Sequence, residues 1–417
     1  MSESLGLMLI GCGGAIGSTV IAGVEAMRRN LAAPLGMLTE TGRMPGPGYS
    51  SQAQRPLIRD TLNLAKLDQI HLGGWDLRAD TMFTASQREQ IVPEKLVSKL
   101  EEPLSQLRPF GGIVSRGSDI RRVGQGETHF NSLRQAADAI RGDIQAFRKA
   151  NNVGRVVLVD LTPTRPAVAP SAAHKSIKEF EAALEGTDPS ITSNMLYMYA
   201  ALKEGCPFIN FTPNVVEVDA LKELAEQARV GYAGRDGKTG QTYLKTVLAP
   251  AFRERQLHVR GWYSANILGN EDGKALSNPN ACETKIISKA SVLESILGYP
   301  VVAENGENSH VVSILYYPPR GDEKEAWDSI DLEGFLGQRL QLKINFLCKD
   351  SILAAPLVID LARMAAWGHQ HGDAGSLDYL SLYFKSPHPT ATEGIVHDFF
   401  HQVDMFARRV TRNNRAS

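Results

Sequence analysis

Leu7–Arg29 reads LMLIGCGGAIGSTVIAGVEAMRR. Four apolar residues, Leu7–Ile10, have the character of a short buried strand, and Ser18–Arg29 carries helical spacing. Between them Gly11, Gly13, Gly14 and Gly17, with Ala15 and Ile16, form a turn. Glycines at such a junction let the backbone approach an anion, and a pyrophosphate then rests on the amides of the helix N-terminus. The spacing G-x-G-G-x-x-G sets the last glycine one residue later than the common dinucleotide pattern. A plain tight strand-to-helix turn is therefore the competing reading. Pro34–Leu38 is a second apolar segment and completes a β-turn-α-β opening.

Outward from this opening, strands and helices alternate. Thr39–Arg59, rich in Gly, Pro and Ser, reads as a loop, while Glu89–Leu107 and Phe130–Ala150 read as helices. Arg155–Val159 is a buried-type strand, and Thr162–Pro170, with its prolines, cannot continue a helix. Ile191–Lys203 and Ala220–Ala228 have helical spacing, with strands at Pro207–Asn210 and Val230–Ala233. This alternation predicts a parallel sheet with helices on both faces. After residue 243 longer strands appear at Gln256–Ile267, Val311–Tyr317 and Gly337–Cys348, the last alternating with a period of two. They predict an α+β unit with an antiparallel sheet, followed by an apolar helix at Ser351–Trp367. The expected fold is thus α/β: a Rossmann-type domain over residues 1–242, completed by 353–417, with an inserted α+β domain over 243–352.

A chain of 417 residues suits two domains. Its 43% hydrophobic and 22% charged residues are those of a soluble globular protein. Lys+Arg 45 against Asp+Glu 46 leaves a net charge of -1, which gives no electrostatic case for nucleic acid or an anionic membrane. No apolar run approaches the roughly 20 residues of a membrane span, and the start lacks the pattern of a secretory signal. Cys12, Cys206, Cys282 and Cys348 are scattered without C-x-x-C spacing, against a thiolate zinc site or disulfide framework, so a reducing cytoplasm is expected.

Four runs carry more specific information: GCPFINFTP (Gly205–Pro213), AGRDGKTGQTYLKTVLAP (Ala233–Pro250), LGNEDGKALSNP (Leu268–Pro279) and ETKIISKASV (Glu283–Val292). With GGWD (Gly73–Asp76) and DSILAAPLVIDL (Asp350–Leu361), the chain resembles the inositol-3-phosphate synthase family in a bacterial form. The resemblance implies a tightly bound, recycled NAD and the cyclisation of glucose 6-phosphate to 1D-myo-inositol 3-phosphate. The route is oxidation at C5, enolisation, intramolecular aldol addition and re-reduction.

The residues suit that chemistry. Negative charge develops on O5 and O1 beside a phosphate, and fixed ammonium groups stabilise it. Lys285 and Lys289, four apart, share a face if Glu283–Leu293 is helical. Like charges so placed repel by roughly 0.2–0.5 kcal/mol, which an anion between them would offset. The resemblance makes Lys285 the proton-transfer lysine at the C5 oxygen and sets Lys289 against phosphate and enolate. Lys324 and Lys385 match two further site lysines, although Lys324 lies in an acidic stretch where a surface ion pair competes. Thr239, Gly240, Gln241 and Thr242 offer hydroxyls, an amide side chain and backbone amides to a phosphate, with a helix cap at Thr239 the bland reading. Asp236, Asp350 and Asn270 resemble site residues near nicotinamide and the sugar.

For the cofactor, the resemblance implies Gly11, Gly13, Gly14, Ala15, Ile16 and Gly17 at the phosphates. Asp76 would hold the adenosine ribose, in preference to Glu40, and Asp160, Asp236 and Asp350 would lie near the dinucleotide. Asp272 and Asp350 are candidate hosts for a monovalent or divalent cation. The family implies a homotetramer through the antiparallel-sheet domain. Several positions depart from its eukaryotic pattern: Ala15 and Ile16 replace asparagines, Ile267 stands where a histidine is expected, and Phe211 where a glycine is. These departures keep open a variant that closes another hexose phosphate, for instance fructose 6-phosphate, to a five-membered ring. An ordinary two-substrate dehydrogenase and a catalytically dead NAD-binding protein are the remaining alternatives.

Overall fold

The computed structural model describes residues 4–45, 51–269, 292–303 and 305–412. It forms two compact units: Met1–Asp236 with Ala355–Leu377 and Val410–Ser417, and Gly237–Ala354 with Asp378–Arg409.

The first unit holds strands β1 (Leu5–Ile10), β2 (Ile70–Asp76), β3 (Phe110–Arg116), β4 (Asp119–Val123), β5 (Thr128–His129), β6 (Arg155–Asp160), β7 (Phe208–Asn210) and β8 (Gly231–Gly234). The second holds β9 (His258–Leu268), β10 (His310–Tyr316), β11 (Glu323–Glu333) and β12 (Arg339–Lys349), and β13 (Gly375–Ser376) returns to the first. The helices used below are α1 (Ala15–Arg28), α2 (Leu133–Asn151), α3 (Ser193–Lys203), α4 (Asp219–Ala228), α5 (Gln241–Glu254), α6 (Asp350–Gln370) and α7 (Phe399–Arg412).

In the first unit nine strands lie in the order β13-β8-β7-β6-β1-β2-β3-β4-β5. β1 pairs in parallel with β2 on one side and with β6 on the other, Ile10 standing opposite both Trp75 and Asp160. The chain therefore winds outward from β1, returns, and winds the other way. That reversal opens a crevice beyond the carboxyl ends of β1 and β6. β1 is wholly buried, as a central strand covered on both faces must be. α2 packs on the sheet through Leu133, Ala136, Ala137, Ile140, Ile144 and Phe147, an apolar stripe at helical spacing. Under it Trp75 meets Tyr197 of α3 edge-on at 5.1 Å and donates its Nε1–H to the buried Asp143 at 2.8 Å.

The second strand of the opening is not Pro34–Leu38 but β2. Gly74 has φ +148°, and a Cβ there would fall 2.0 Å from the Leu9 carbonyl oxygen, so only glycine lets β2 lie against β1. The apolar Leu38 instead starts a helical turn, Leu38–Thr41, whose Leu38 and Thr39 amides donate to Asp360 at 2.7 and 3.0 Å. Glu89–Leu107 is likewise not one helix. Gln90 ends Met82–Glu89 in the left-handed region, and short helices follow at Glu94–Ser98, behind Pro93, and Glu101–Gln106.

The second unit is built on a sheet in the order β10-β9-β11-β12. Expected to be antiparallel, it is mixed: β11 runs antiparallel to β9 and β12, but β10 is parallel to β9. β11 was hidden by its charges, yet it alternates buried and exposed residues along its length. Ala249 and Phe252 of α5 pack with Val259, Trp262, Val292, Leu293, Ile296, Ile330 and Leu332 to form the core. Asp378–Arg409, expected with the parallel-sheet domain, belongs to this unit. Gly237 bridges to Phe384, and Arg253 donates to Asp398 at 2.9 Å. Among the described residues α6 is long and apolar enough to cross a membrane, but 78% of that stretch is buried in the protein.

At the β1–α1 junction an ideal Cβ on Gly17 would lie 2.6 Å from the Cys12 Cα and oxygen and from the Gly11 oxygen, all backbone. Gly17→Ala should therefore lower stability by about 1–3 kcal/mol. Urea unfolding measures this, and an unchanged midpoint would show that α1 does not sit this close to the turn.

Candidate active site

Two groups of residues stand out, one in each unit. In the first, the glycine turn follows β1 into the crevice. The amides of Gly11 and Cys12 bond to the Trp75 oxygen, and the Gly13 amide donates to Asp76 Oδ2 at 2.8 Å. Asp76 ends β2 and also accepts from the Arg78 amide at 3.0 Å, which leaves lone pairs on both oxygens. Arg88 donates to the Gly13 oxygen at 2.7 Å and holds the turn from outside. Gly14 is the N-cap of α1, has no side-chain cap, and is followed by no acidic residue in the first turn. The first-turn amides are thus uncapped, and the helix dipole points the same way. A Cβ at Gly13 would lie 3.0 Å from Asp76 Oδ2, so the turn keeps a cradle that a side chain would fill. These features fit a dinucleotide, with its pyrophosphate on the amides and its ribose at Asp76.

Glu40, the alternative ribose acceptor, does not fit. It is buried and pairs with Arg59 at 2.8 Å and Arg363 at 2.7 Å. Asp160, expected against the cofactor, is fully buried at the end of β6. It accepts from the Thr162 amide and hydroxyl at 3.0 and 2.7 Å, and from Asn194 at 2.6 Å. Burial raises its pKa while these donors pull it down, and the side chain shapes the following loop from inside. Asp236 follows β8 with φ +62°, its amide donating to the Thr212 oxygen at 2.9 Å. The loop after β6 also carries Arg165, which the sequence reading passed over. Half-buried, it donates to Ser193 at 3.1 Å and makes no ion pair among the described residues.

In the second unit the segment Lys238–Thr242 leads into α5. Gly240, not Thr239, takes the N-cap position, again without a side-chain cap. The Thr239 hydroxyl instead donates to Asp350 Oδ1 at 2.8 Å. Lys324 is no surface residue. It points inward from β11, its Nζ 3.7 Å from the same Asp350 oxygen and 3.1 Å from where a Gly240 Cβ would be. An uncapped helix start with a buried ammonium standing over it has the donors and the charge that an anion would need.

Gln241 is buried and its side chain is fully engaged. Its Nε2 donates to Asp328 Oδ2 at 3.0 Å and to the Ala265 and Trp327 oxygens, and its Oε1 accepts from Asn266. Expected to offer its amide to a phosphate, it has only its backbone N–H left. Lys385 is half-buried, directly after Phe384. Ile267 is half-buried on β9, opposite Glu325 and Leu315. Lys285, Lys289, Asn270 and Asp272 lie outside the described residues. Among the described residues no group of three His, Cys, Asp or Glu gathers as for a metal.

Two further buried amines escaped the sequence reading. Lys238 donates to Gln402 at 2.6 Å, and burial pushes its pKa down to about 7. Lys245 stands 2.7 Å from His310 Nε2, and burial pushes it down to about 8 against the upward pull of Asp328. For Lys245 a signal existed: it lies four residues after Gln241, on the same face of α5.

A doubly wound sheet with a glycine turn at its switch point and an acid ending the neighbouring strand is the frame of a dinucleotide-dependent enzyme. The chain belongs to the myo-inositol-1-phosphate synthase family, whose model matches residues 5–410. It is 37% identical over 408 residues to inositol-3-phosphate synthase 1 of Bacteroides thetaiotaomicron, covering 96% of this chain and 91% of that one. Among solved structures, inositol-3-phosphate synthase of Caenorhabditis elegans shares the fold with a TM-score of 0.87 at 24% identity, covering 99% of this chain and 86% of that one. A myo-inositol-1-phosphate synthase-related protein of Thermotoga maritima has a TM-score of 0.72 at 20% identity, with 98% of both chains covered.

The lowered value of Lys245 makes stability depend on pH. An unfolded lysine titrates near about 10.4. Between the folded value of about 8 and that value the unfolded chain holds a proton the folded chain lacks. The contribution of Lys245 to stability therefore rises with pH across this window and is lost as pH falls through the folded value. Urea unfolding of wild type and Lys245→Met should diverge in pH dependence there, the variant rising less. Parallel curves would contradict the buried neutral amine.

Proposed function

We propose that this chain is an inositol-3-phosphate synthase that converts glucose 6-phosphate to 1D-myo-inositol 3-phosphate. The observation that carries the reading is the uncapped start of α5, with Thr239 and the buried Lys324 gathered on Asp350, in a chain of this family. A bound NAD would supply the hydride acceptor, and in its reduced form the hydride donor, for chemistry at C5 of the sugar. The first unit binds the cofactor: the amides of residues 11–17 hold its pyrophosphate and Asp76 its ribose. The second unit is the catalytic and oligomerisation domain.

There the amides at the α5 start, with the hydroxyls of Thr239 and Thr242, hold the substrate phosphate, and Lys324 adds a positive charge. The C5 ketone acidifies C6. Lys285 stabilises charge on the C5 oxygen and moves the proton, Lys289 faces phosphate and enolate, and Lys385 completes the cationic set as charge passes to O1. Asp236, Asn270 and Asp350 orient the sugar and nicotinamide. Asp272 and Asp350 are the candidate hosts of a cation. The reading places the enzyme in the cytoplasm, in keeping with free thiols at Cys12, Cys206 and Cys348.

The enzyme works as a homotetramer in this reading, assembled through the sheet of the second unit. Support comes from one sheet face, where Tyr263, Val311, Leu315, Trp327 and Leu347 are all exposed, and from the eleven-residue edge strand β12. Light scattering after size exclusion should report a smaller species for Trp327→Asp than for wild type; an unchanged wild-type tetramer would remove Trp327 from the interface.

Incubation with NAD and glucose 6-phosphate, with carbon connectivity read by NMR, should yield a six-membered inositol phosphate and no net NADH. Steady NADH release would refute the cyclase reading, and a five-membered cyclitol phosphate from fructose 6-phosphate alone would replace the substrate. Lys285→Ala should abolish turnover while NAD still binds.

A further inference from the structure

We propose that Lys238 is a positioning residue that clamps the segment carrying Lys385 and the start of α7 against the Thr239–Thr242 turn, and so sets where the Lys385 ammonium stands. The inference rests on the reading of Lys385 as a site lysine.

Lys238 bonds two separate stretches of chain from a single position. Its backbone N–H donates to the Tyr383 oxygen at 2.8 Å, and the preceding Gly237 forms an antiparallel bridge with Phe384. Lys385 is the next residue along. The side chain runs the other way: Nζ donates to Gln402 Oε1 at 2.6 Å and lies 5.5 Å from the Phe399 ring centroid. Gln402 is fully buried, and its amide nitrogen donates in turn to the Val396 oxygen at 2.7 Å. Phe399 meets Tyr243, in the first turn of α5, edge-on at 5.3 Å. The stretches 237–243, 383–385 and 396–402 are therefore knotted at this one side chain.

The knot lies beside the anion site, since Thr239, the next residue, gives its hydroxyl to Asp350. A buried amine facing a neutral amide carries a desolvation penalty that a methionine of similar length would avoid. What the amine supplies in return is a bond of fixed direction to Gln402. Neighbouring charge does not explain it, for His397 is held neutral here, pushed down to about 4 by burial and then by Lys238 itself.

The test uses the full-length enzyme with NAD bound and the variants Lys238→Met, Gln402→Leu, Gln402→Glu, Lys385→Ala and Lys238→Met/Lys385→Ala. Two readouts are taken: kcat and KM with glucose 6-phosphate, and the rate at which an amine-acylating reagent modifies Lys385, followed by mass spectrometry. Lys238→Met and Gln402→Leu should speed modification of Lys385 at least threefold. They should lower kcat by about 10²-fold, the size of loss a misplacement of about 1 Å brings, with NAD affinity unchanged. Gln402→Glu, like Gln402→Leu, gives up the donor to the Val396 oxygen but keeps the acceptor for Lys238, and should lie at least threefold closer to wild type than Gln402→Leu on both readouts. In the Lys385→Ala background, Lys238→Met should lower kcat by less than twofold, because the group it positions is gone.

Unchanged modification of Lys385 in both Lys238→Met and Gln402→Leu overturns the clamp, as does a full further loss of kcat in the double variant. Full kcat in Lys385→Ala, with modification of Lys385 still faster in Lys238→Met, leaves the clamp standing and removes Lys385 from the chemistry. Should Lys238→Met fail to fold, the contrast between the two Gln402 variants decides on the same two readouts.

Discussion

Asp328 lies on β11 with its carboxylate turned into the second unit, almost wholly out of water. It accepts from Trp262 Nε1 at 2.8 Å, Ser264 Oγ at 2.6 Å and Gln241 Nε2 at 3.0 Å. A buried carboxylate is tolerable only when its oxygens are bonded like this, and each bond fixes the group that makes it. Two of the donors are on β9 and the third is the first residue of α5. Asp328 therefore fixes the start of that helix over the sheet, and the rest of the unit follows. Gly240 is left uncapped, Thr239 is free to reach Asp350, and Lys324, four residues before Asp328 on the same strand face, stands over the turn. The uncapped turn is the outer side of a structure whose inner side is one saturated acid.

The cofactor side of the chain works by absence rather than saturation. Cys12, Gly13 and Gly14 put no polar side chain at the start of α1, and Asp76 meets the turn through one backbone amide. The departures at Ala15 and Ile16 are tolerable for this reason, because the anion-binding capacity lies in main-chain N–H groups that any side chain leaves in place. Phe211, where glycine was expected, is buried at the end of β7, and the Phe211 amide bonds to the Asp160 oxygen at 3.2 Å.

Much of this was legible because it is local. The turn after β1 and the strand-helix alternation of the first unit follow from residue type within a few positions. What was lost depends on partners far away in sequence. Pro34–Leu38 looked like a strand because it is apolar; β2 did not, because its Gly73-Gly74 pair has no side chains to alternate and makes sense only against Leu9. β11 drew no strand reading, and a surface ion pair stayed open for Lys324, because each burial along it depends on β9 and β12. The parallel pairing of β10 with β9 leaves no trace in either strand alone. Gln241 was placed in the right turn with the wrong orientation. Its amide could be assigned inward only once Asp328, 87 residues later, was known to be its partner. Lys238 and Lys245 drew no reading for a similar reason, since a lysine's burial is decided by what packs over it.

The helical turn Leu38–Thr41 is held by Asp360, with Leu38 separated from its acceptor by 322 positions. Arg363 adds bonds to Thr39, Glu40 and Ala65. On a ribosome adding about 5–20 residues per second, that separation is on the order of 15–60 s of synthesis. Through that interval the first 65 residues have emerged while the groups that receive them have not been made, and the Gly237–Ala354 part of the second unit is translated in between. The order of synthesis thus runs against the order of closure: the amino-terminal domain of this enzyme begins first and is finished last.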